Sequence, residues 1–166
     1  MGMESYFIHI KIKAQDIDDY LKNPGIDLSV KNYSRFPKKL FRKEIYDGNT
    51  FLLDNCVVLS IKKSCDGLDI SLEACYANYD KSLETMYRFY SVLFNKYGNP
   101  CLIYGTLSTD KFLANFHDFK EWVDNCNPQK REMFFAKYNQ FSEDVLPNDF
   151  YRFIKRHKKG KKINAV

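Results

Sequence analysis

The sequence predicts an α+β domain: a largely antiparallel sheet of about five strands, helices packed on one face, and a helical C-terminal segment. Three observations carry this. Residues 5 to 14 and 68 to 76 alternate apolar and polar side chains with a period of two. Between them, turn-forming clusters recur every several residues, as in a meander. From Leu83 the apolar period changes to that of a helix and stays helical for most of the remaining chain.

Taken in order, SYFIHIKIKA places Tyr6, Ile8, Ile10 and Ile12 on one face of a strand and Phe7, His9, Lys11 and Lys13 on the other. Asp16 to Leu21 suits a short helix, stopped by Asn23-Pro24-Gly25. No period is sustained from Ile26 to Lys43, which reads as a long loop or irregular arm. Asp47-Gly48-Asn49 is the signal of a tight hairpin between strands at Glu44 to Tyr46 and Thr50 to Leu53, because Gly and Asn tolerate positive φ. A second hairpin joins Cys56 to Lys62 with Leu68 to Tyr76 across Ser64 to Gly67. In its second strand, Leu68, Ile70, Leu72, Ala74 and Tyr76 share the core face, and Asp69, Ser71, Glu73 and Cys75 are expected on a wet one.

Asn78 or Asp80 can cap a helix in which Leu83, Met86, Tyr87, Tyr90, Leu93, Phe94 and Tyr97 recur at helical spacing, with Gly98-Asn99-Pro100 as its stop. Cys101 to Leu107 reads as one short buried strand. Ser108 to Asp110 are expected to cap a second helix with Phe112, Leu113, Phe116, Phe119, Trp122 and Val123 on its apolar face. Asn127-Pro128 breaks it and starts a third, carrying Met133, Phe134, Tyr138 and Phe141. A last helix is expected from Pro147 to Asp149 onward, with Phe150, Phe153 and Ile154 on one side. The expected domain is 1 to 157, followed by a flexible basic tail, 158 to 166.

At 166 residues and 45% hydrophobic, with 14 Phe and 12 Tyr, the chain is long and apolar enough to bury one core. No apolar run approaches the ~20 residues of a membrane span. Lys11 and Lys13 also break any secretory pattern at the start, so a cytoplasmic location is expected. The net charge of +5 is unevenly placed. Residues 152 to 166 contribute +7 with no acid, leaving −2 for the rest, and 28 to 43 form a second acid-free basic stretch. The five cysteines are odd in number and lack zinc-site spacing, which points to reduced thiols that mostly pack in the core. Lys outnumbers Arg 20 to 6 and Asn and Ile are frequent, a bias that fits an A/T-rich gene.

Neither a phosphate-binding loop nor a dinucleotide fingerprint nor a serine nucleophile elbow occurs. His9, His117 and His157 are the histidines available to a metal-free nuclease, with Lys11 beside the first. The best carboxylate pair for a metal-dependent one is Asp69 with Glu73, but on one strand these stand ~13 Å apart along the chain. Both nuclease forms are minor alternatives; no catalytic residue, metal or cofactor is expected.

The sequence's best positive signal for nucleic acid is the arm that interleaves Lys31, Arg35, Lys38, Lys39, Arg42 and Lys43 with Tyr33 and Phe36, helped by the basic tail. The reading preferred over it is a protein-binding domain, by elimination and by the wealth of Tyr, whose apolar ring and polar tip suit interfaces. By analogy this means an immunity or antitoxin-type protein that occludes the active site of a cognate toxin, with Asp47, Asp54, Asp66, Asp69 and Glu73 as its acidic contact set. The expected partner is thus a protein, with nucleic acid as the alternative and no membrane.

Overall fold

The computed structural model describes residues 5–14, 17, 21, 27–33, 49–98 and 100–138. The expected helix after Pro147, the tail, Asp47, and arm residues Arg35, Phe36, Lys38, Lys39, Arg42 and Lys43 lie outside the described residues, as does most of the expected helix at 16 to 21. Of that helix, Ile17 and Leu21 are both buried, and the Leu21 N–H donates to the Ile17 carbonyl at 3.0 Å, one helical turn.

Seven strands form one antiparallel sheet: β1 Ser5–Ile12, β2 Val30–Asn32, β3 Thr50–Leu53, β4 Val57–Ser64, β5 Gly67–Cys75, β6 Cys101–Tyr104 and β7 Leu107–Thr109. Their spatial order is β2-β3-β4-β5-β1-β6-β7. The fold is therefore α+β, with more strands than the five expected. The additional ones come from two places. Val30–Asn32, in the stretch expected to be irregular, pairs with β3, and the single strand expected at Cys101 to Leu107 is a hairpin bent at Gly105, φ +62°.

The strand expected at Glu44 to Tyr46 and residues Asp47 and Gly48 of the expected hairpin lie outside the described residues; β3 pairs with β2 on one edge and β4 on the other. The turn that does fold β3 onto β4 uses Asp54 and Asn55, both at positive φ, 45° and 57°, with the Cys56 N–H donating to the Leu53 carbonyl at 3.0 Å. Asp and Asn tolerate this left-handed conformation, which matches the twist of the flanking strands.

Alternation decides the core. Ile8, Ile10 and Ile12 of β1 oppose Leu72, Ile70 and Leu68 of β5, which in turn oppose Leu59, Ile61 and Lys63 of β4. Over this face lies α1, Tyr79–Tyr97, whose Leu83, Met86, Tyr90 and Leu93 are buried at helical spacing. Each such side chain contributes roughly 1.5–3 kcal/mol on burial. Asn78 stands at its N-cap position without a side-chain cap bond, and Gly98 (φ +67°) ends it.

The second helix, α2 Phe116–Cys126, begins later than expected. Ser108 and Thr109 belong to β7, and the cap is Asn115, whose side chain accepts from the Asp118 N–H at 2.9 Å. Phe119 and Val123 are buried, and the Phe119 ring lies 5.6 Å from both Tyr87 and Tyr90 of α1. Phe112 precedes the helix and stacks on Phe94 at 3.7 Å. Pro128 opens α3, Pro128–Tyr138, as expected, but of its apolar residues Phe134 is fully buried while Met133 is 53% exposed.

A tyrosine cluster ties these layers together at one end of the sheet. The Tyr6 hydroxyl donates to Ser82 Oγ at 2.6 Å, since the Ser82 proton is given to helix carbonyls. Tyr76 and Tyr104 share a bond of 3.1 Å, and Tyr79 donates to Asp124, which also accepts from Arg131 at 2.7 Å.

Candidate functional site

The face of the sheet turned away from α1 is built in cross-strand rows by the pairing register. One row runs Cys101, Lys11, Asp69, Lys62 across β6, β1, β5 and β4. The next runs Ser108, Ile103, His9, Ser71, Ser60, Thr50 from β7 to β3. A third runs Phe7, Glu73, Val58, Leu52, Lys31 from β1 to β2. The expected wet face is thus wet only in part. Asp69 and Ser71 are half-buried and Lys11, Lys62 and His9 exposed, but Val58, Glu73 and Cys75 are buried at 2%, 9% and 0%. Alternation fixed which way these side chains point; how much water reaches them depends on what lies above.

The four described carboxylates of the acidic set divide between the two sides. Asp54 belongs to the helix layer: its carboxylate accepts from the Ser29 N–H at 2.8 Å, from Thr85 at 3.3 Å and from Arg88 of α1 at 2.5 Å. Arg88 also donates to the Asp27 carbonyl. Asp54 is a tie between the β3–β4 turn and α1, its charge already answered. Glu73 is buried in the third row and has an interaction of its own. Asp66 and Asp69 do come together, in a cleft of about 930 Å³ at the end of the sheet where β1 leaves, β4 turns into β5 and α1 ends.

Its walls carry Asp66, Asp69 and Asp110 alongside Lys11, Lys13 and Cys101. Sequence reasoning missed Asp110, which was expected to serve a helix cap. Its place in the cleft follows from β1 lying between β5 and β6, which sets residues 69 and 101 on either side of Lys11. The Cys101 thiol is pushed up by burial and further by the Asp110 carboxylate beside it, with Lys11 opposing. Among the described residues no three His, Cys, Asp or Glu side chains group closely enough to hold one metal ion.

No family model, curated protein or solved structure matches the chain.

The two described histidines do not form a catalytic pair. His9 stands on the second face of the sheet and His117 is exposed on α2, in the layer packed on the opposite face, so the sheet lies between them. Of the basic arm, Lys31 is exposed at the outer end of the third row, where its ammonium donates to Asn55 Oδ1 at 3.2 Å; Tyr33 is half-buried, and its N–H donates to the Thr50 carbonyl at 3.0 Å. No helix among the described residues is long and apolar enough to cross a membrane.

Proposed function

We propose that the chain is a protein-binding domain of the immunity or antitoxin kind, which neutralises a cognate toxin by covering its active site. The observation that carries this reading is the sheet-end cleft, whose walls bring Asp66, Asp69 and Asp110 together with Lys11 and Lys13. Carboxylates that stand apart suit several separate contacts with cationic side chains of a protein surface better than one point of chemistry. Interleaved charges of both signs select register and partner as well as speeding encounter. The frame beneath is rigid, because Lys11 and Asp69 sit on adjacent, hydrogen-bonded strands. Asp54 has no part in this contact, being tied to Arg88.

The test is co-expression with the product of the neighbouring open reading frame. That product alone should arrest growth, and the wild-type chain should restore it. Asp66→Asn with Asp69→Asn, which removes the charges without setting a third cation between Lys11 and Lys62, should abolish rescue and binding while leaving the thermal midpoint near its wild-type value. Rescue unaffected by the double variant would remove the cleft from the interface. A nucleic-acid role through Lys31 and the basic segments predicts instead a steep salt dependence of RNA binding, lost on deleting residues 155 to 166.

A further inference from the structure

A second concavity lies on the same sheet face, away from the carboxylate cleft and toward the start of α3. It measures about 780 Å³, and its walls include Phe7, His9, Ser60, Lys62, Ser71 and Lys130. The register explains the assembly. His9, Ser71 and Ser60 are direct cross-strand neighbours on β1, β5 and β4, Phe7 stands two residues along β1 and Lys62 two residues along β4. The third helix brings Lys130 to the rim, where its ammonium donates to the Ser5 carbonyl at 2.9 Å and lies 5.8 Å from the centre of the Tyr76 ring.

The lining has one sign. Among the described residues it holds two lysines and a histidine and no Asp or Glu, although Asp69 stands directly across from Lys62 on β5 and Glu73 belongs to the next row of the same face. Its uncharged polar groups are hydroxyls and amides: Ser60, Ser71, Thr50, Asn49 and Asn127. The aromatic ring on this face of the sheet is that of Phe7; Tyr6 and Tyr104 also line the hollow but are buried toward the core. Pockets of roughly 300–1,000 Å³ hold ligands of cofactor size. Ammonium groups answer a phosphate as point charges, and an aromatic wall accepts a flat ring.

We propose that this hollow binds a small phosphate-bearing ligand with a flat ring, of the mononucleotide class. Lys62 meets the phosphate, Ser60 and Ser71 hydrogen-bond to the ligand, and Phe7, at the other end of the hollow, lies against its ring. The site uses no residue of the carboxylate cleft, so it stands or falls without a protein partner.

The test is a titration of adenosine and uridine monophosphate into the full-length, isotope-labelled chain, followed by amide chemical shifts. Saturable shifts are expected at His9, Ser60, Lys62 and Ser71. Lys62→Glu, at an exposed strand position, should weaken binding by about tenfold or more, as loss and reversal of one phosphate contact implies. Lys111→Glu, at an exposed position outside the hollow, should leave it unchanged. The nucleosides without phosphate should bind more weakly by a similar factor. Lys62→Met, which removes charge without adding an acid, keeps the test valid if the glutamate variant does not fold. Absence of saturable shifts, equal binding by both lysine variants, or equal affinity for inorganic phosphate alone would overturn the proposal.

Discussion

Gly67 is the position at which a single methyl group should do the most harm for its size. It opens β5 at the close of the two-residue turn after Ser64, with φ +145°, a region that side-chain-bearing residues rarely enter. A Cβ built there lies 2.1 Å from the Ile12 carbonyl oxygen and 3.1 Å from both the Ile12 carbonyl carbon and Lys13 Cα. All three are backbone atoms at the end of β1, the strand paired with β5, so no side chain can swing aside. The strained backbone costs about 1–3 kcal/mol, and the forced separation of two strands adds an overpacking penalty of about 1–3 kcal/mol. Gly105 provides the internal control. Its φ is +62°, so alanine there meets a similar backbone term, but nothing lies within 4 Å of its Cβ. Gly67→Ala should therefore destabilise by about 2–6 kcal/mol against about 1–3 kcal/mol for Gly105→Ala. For a chain of this length the difference of about 1–3 kcal/mol lowers the thermal midpoint by roughly 2–12 °C. Denaturant unfolding of both variants measures it directly. Equal stability of the two would show that the β1–β5 contact is not as close as described, and with it the floor of the carboxylate cleft.

Three further outcomes are expected. Phe119→Ala, which empties a fully buried position between Tyr87 and Tyr90, should cost about 3–5 kcal/mol by denaturant titration, and a loss below 1 kcal/mol would contradict the packing of α2 on α1. Burial pushes the phenols of Tyr6, Tyr76, Tyr79, Tyr90 and Tyr104 above their ordinary value, with the Asp124 carboxylate adding to the effect at Tyr79. A raised phenol stabilises the folded state fully below the unfolded value of about 10, and that contribution is lost as pH rises beyond it, by up to about 1.4 kcal/mol per pH unit for each tyrosine. Tyrosinate absorbance should thus appear together with unfolding; gradual titration of these phenols in the folded state would refute their burial. Finally, maleimide should label Cys65 first, because it is exposed while Cys56 and Cys75 are buried and the Cys101 and Cys126 thiols are pushed up by burial. Peptide mapping that finds Cys75 labelled as fast would overturn the assignment of β5.

Local alternation was enough to identify β1 and β5 and to orient their side chains, because one face of each must be apolar for the sheet to carry α1, whereas β4, which does not alternate, was marked by the turn at Ser64 to Gly67. The helical period of α1 was equally plain, as was Pro128 at the start of α3. Harder cases were those in which one residue type serves two structures. Ser108 and Thr109 are good helix caps and also good strand residues, and their pairing with β6 decided between them. Gly105 sat inside an apolar run and was absorbed into a strand, although a left-handed turn was what it supplied. Asp54-Asn55, both at positive φ, turn β3 onto β4, a pair without the glycine that marks such turns most plainly in a sequence. Of the acidic set, Asp66 and Asp69, three residues apart across the β4–β5 turn, line one cleft. Asp110 joined them through contacts between segments far apart in the chain, which no local pattern records. Lys130 reached the cationic hollow in the same way, from a helix more than a hundred residues after the strand it touches.

The position of β1 in the sheet bears on how the chain is made as well as how it holds. Strands β2 to β5 form one continuous meander and β6 with β7 a separate hairpin, and β1 is the strand that joins the two. It is also the earliest of the seven to be synthesised. During translation its isoleucine stripe must wait for β5, which ends at Cys75, and then for β6, with both edges open to pairing. At typical elongation rates that wait lasts several seconds or more. Lys11, exposed on that strand, is a charge of the kind that discourages an open edge from pairing with another copy.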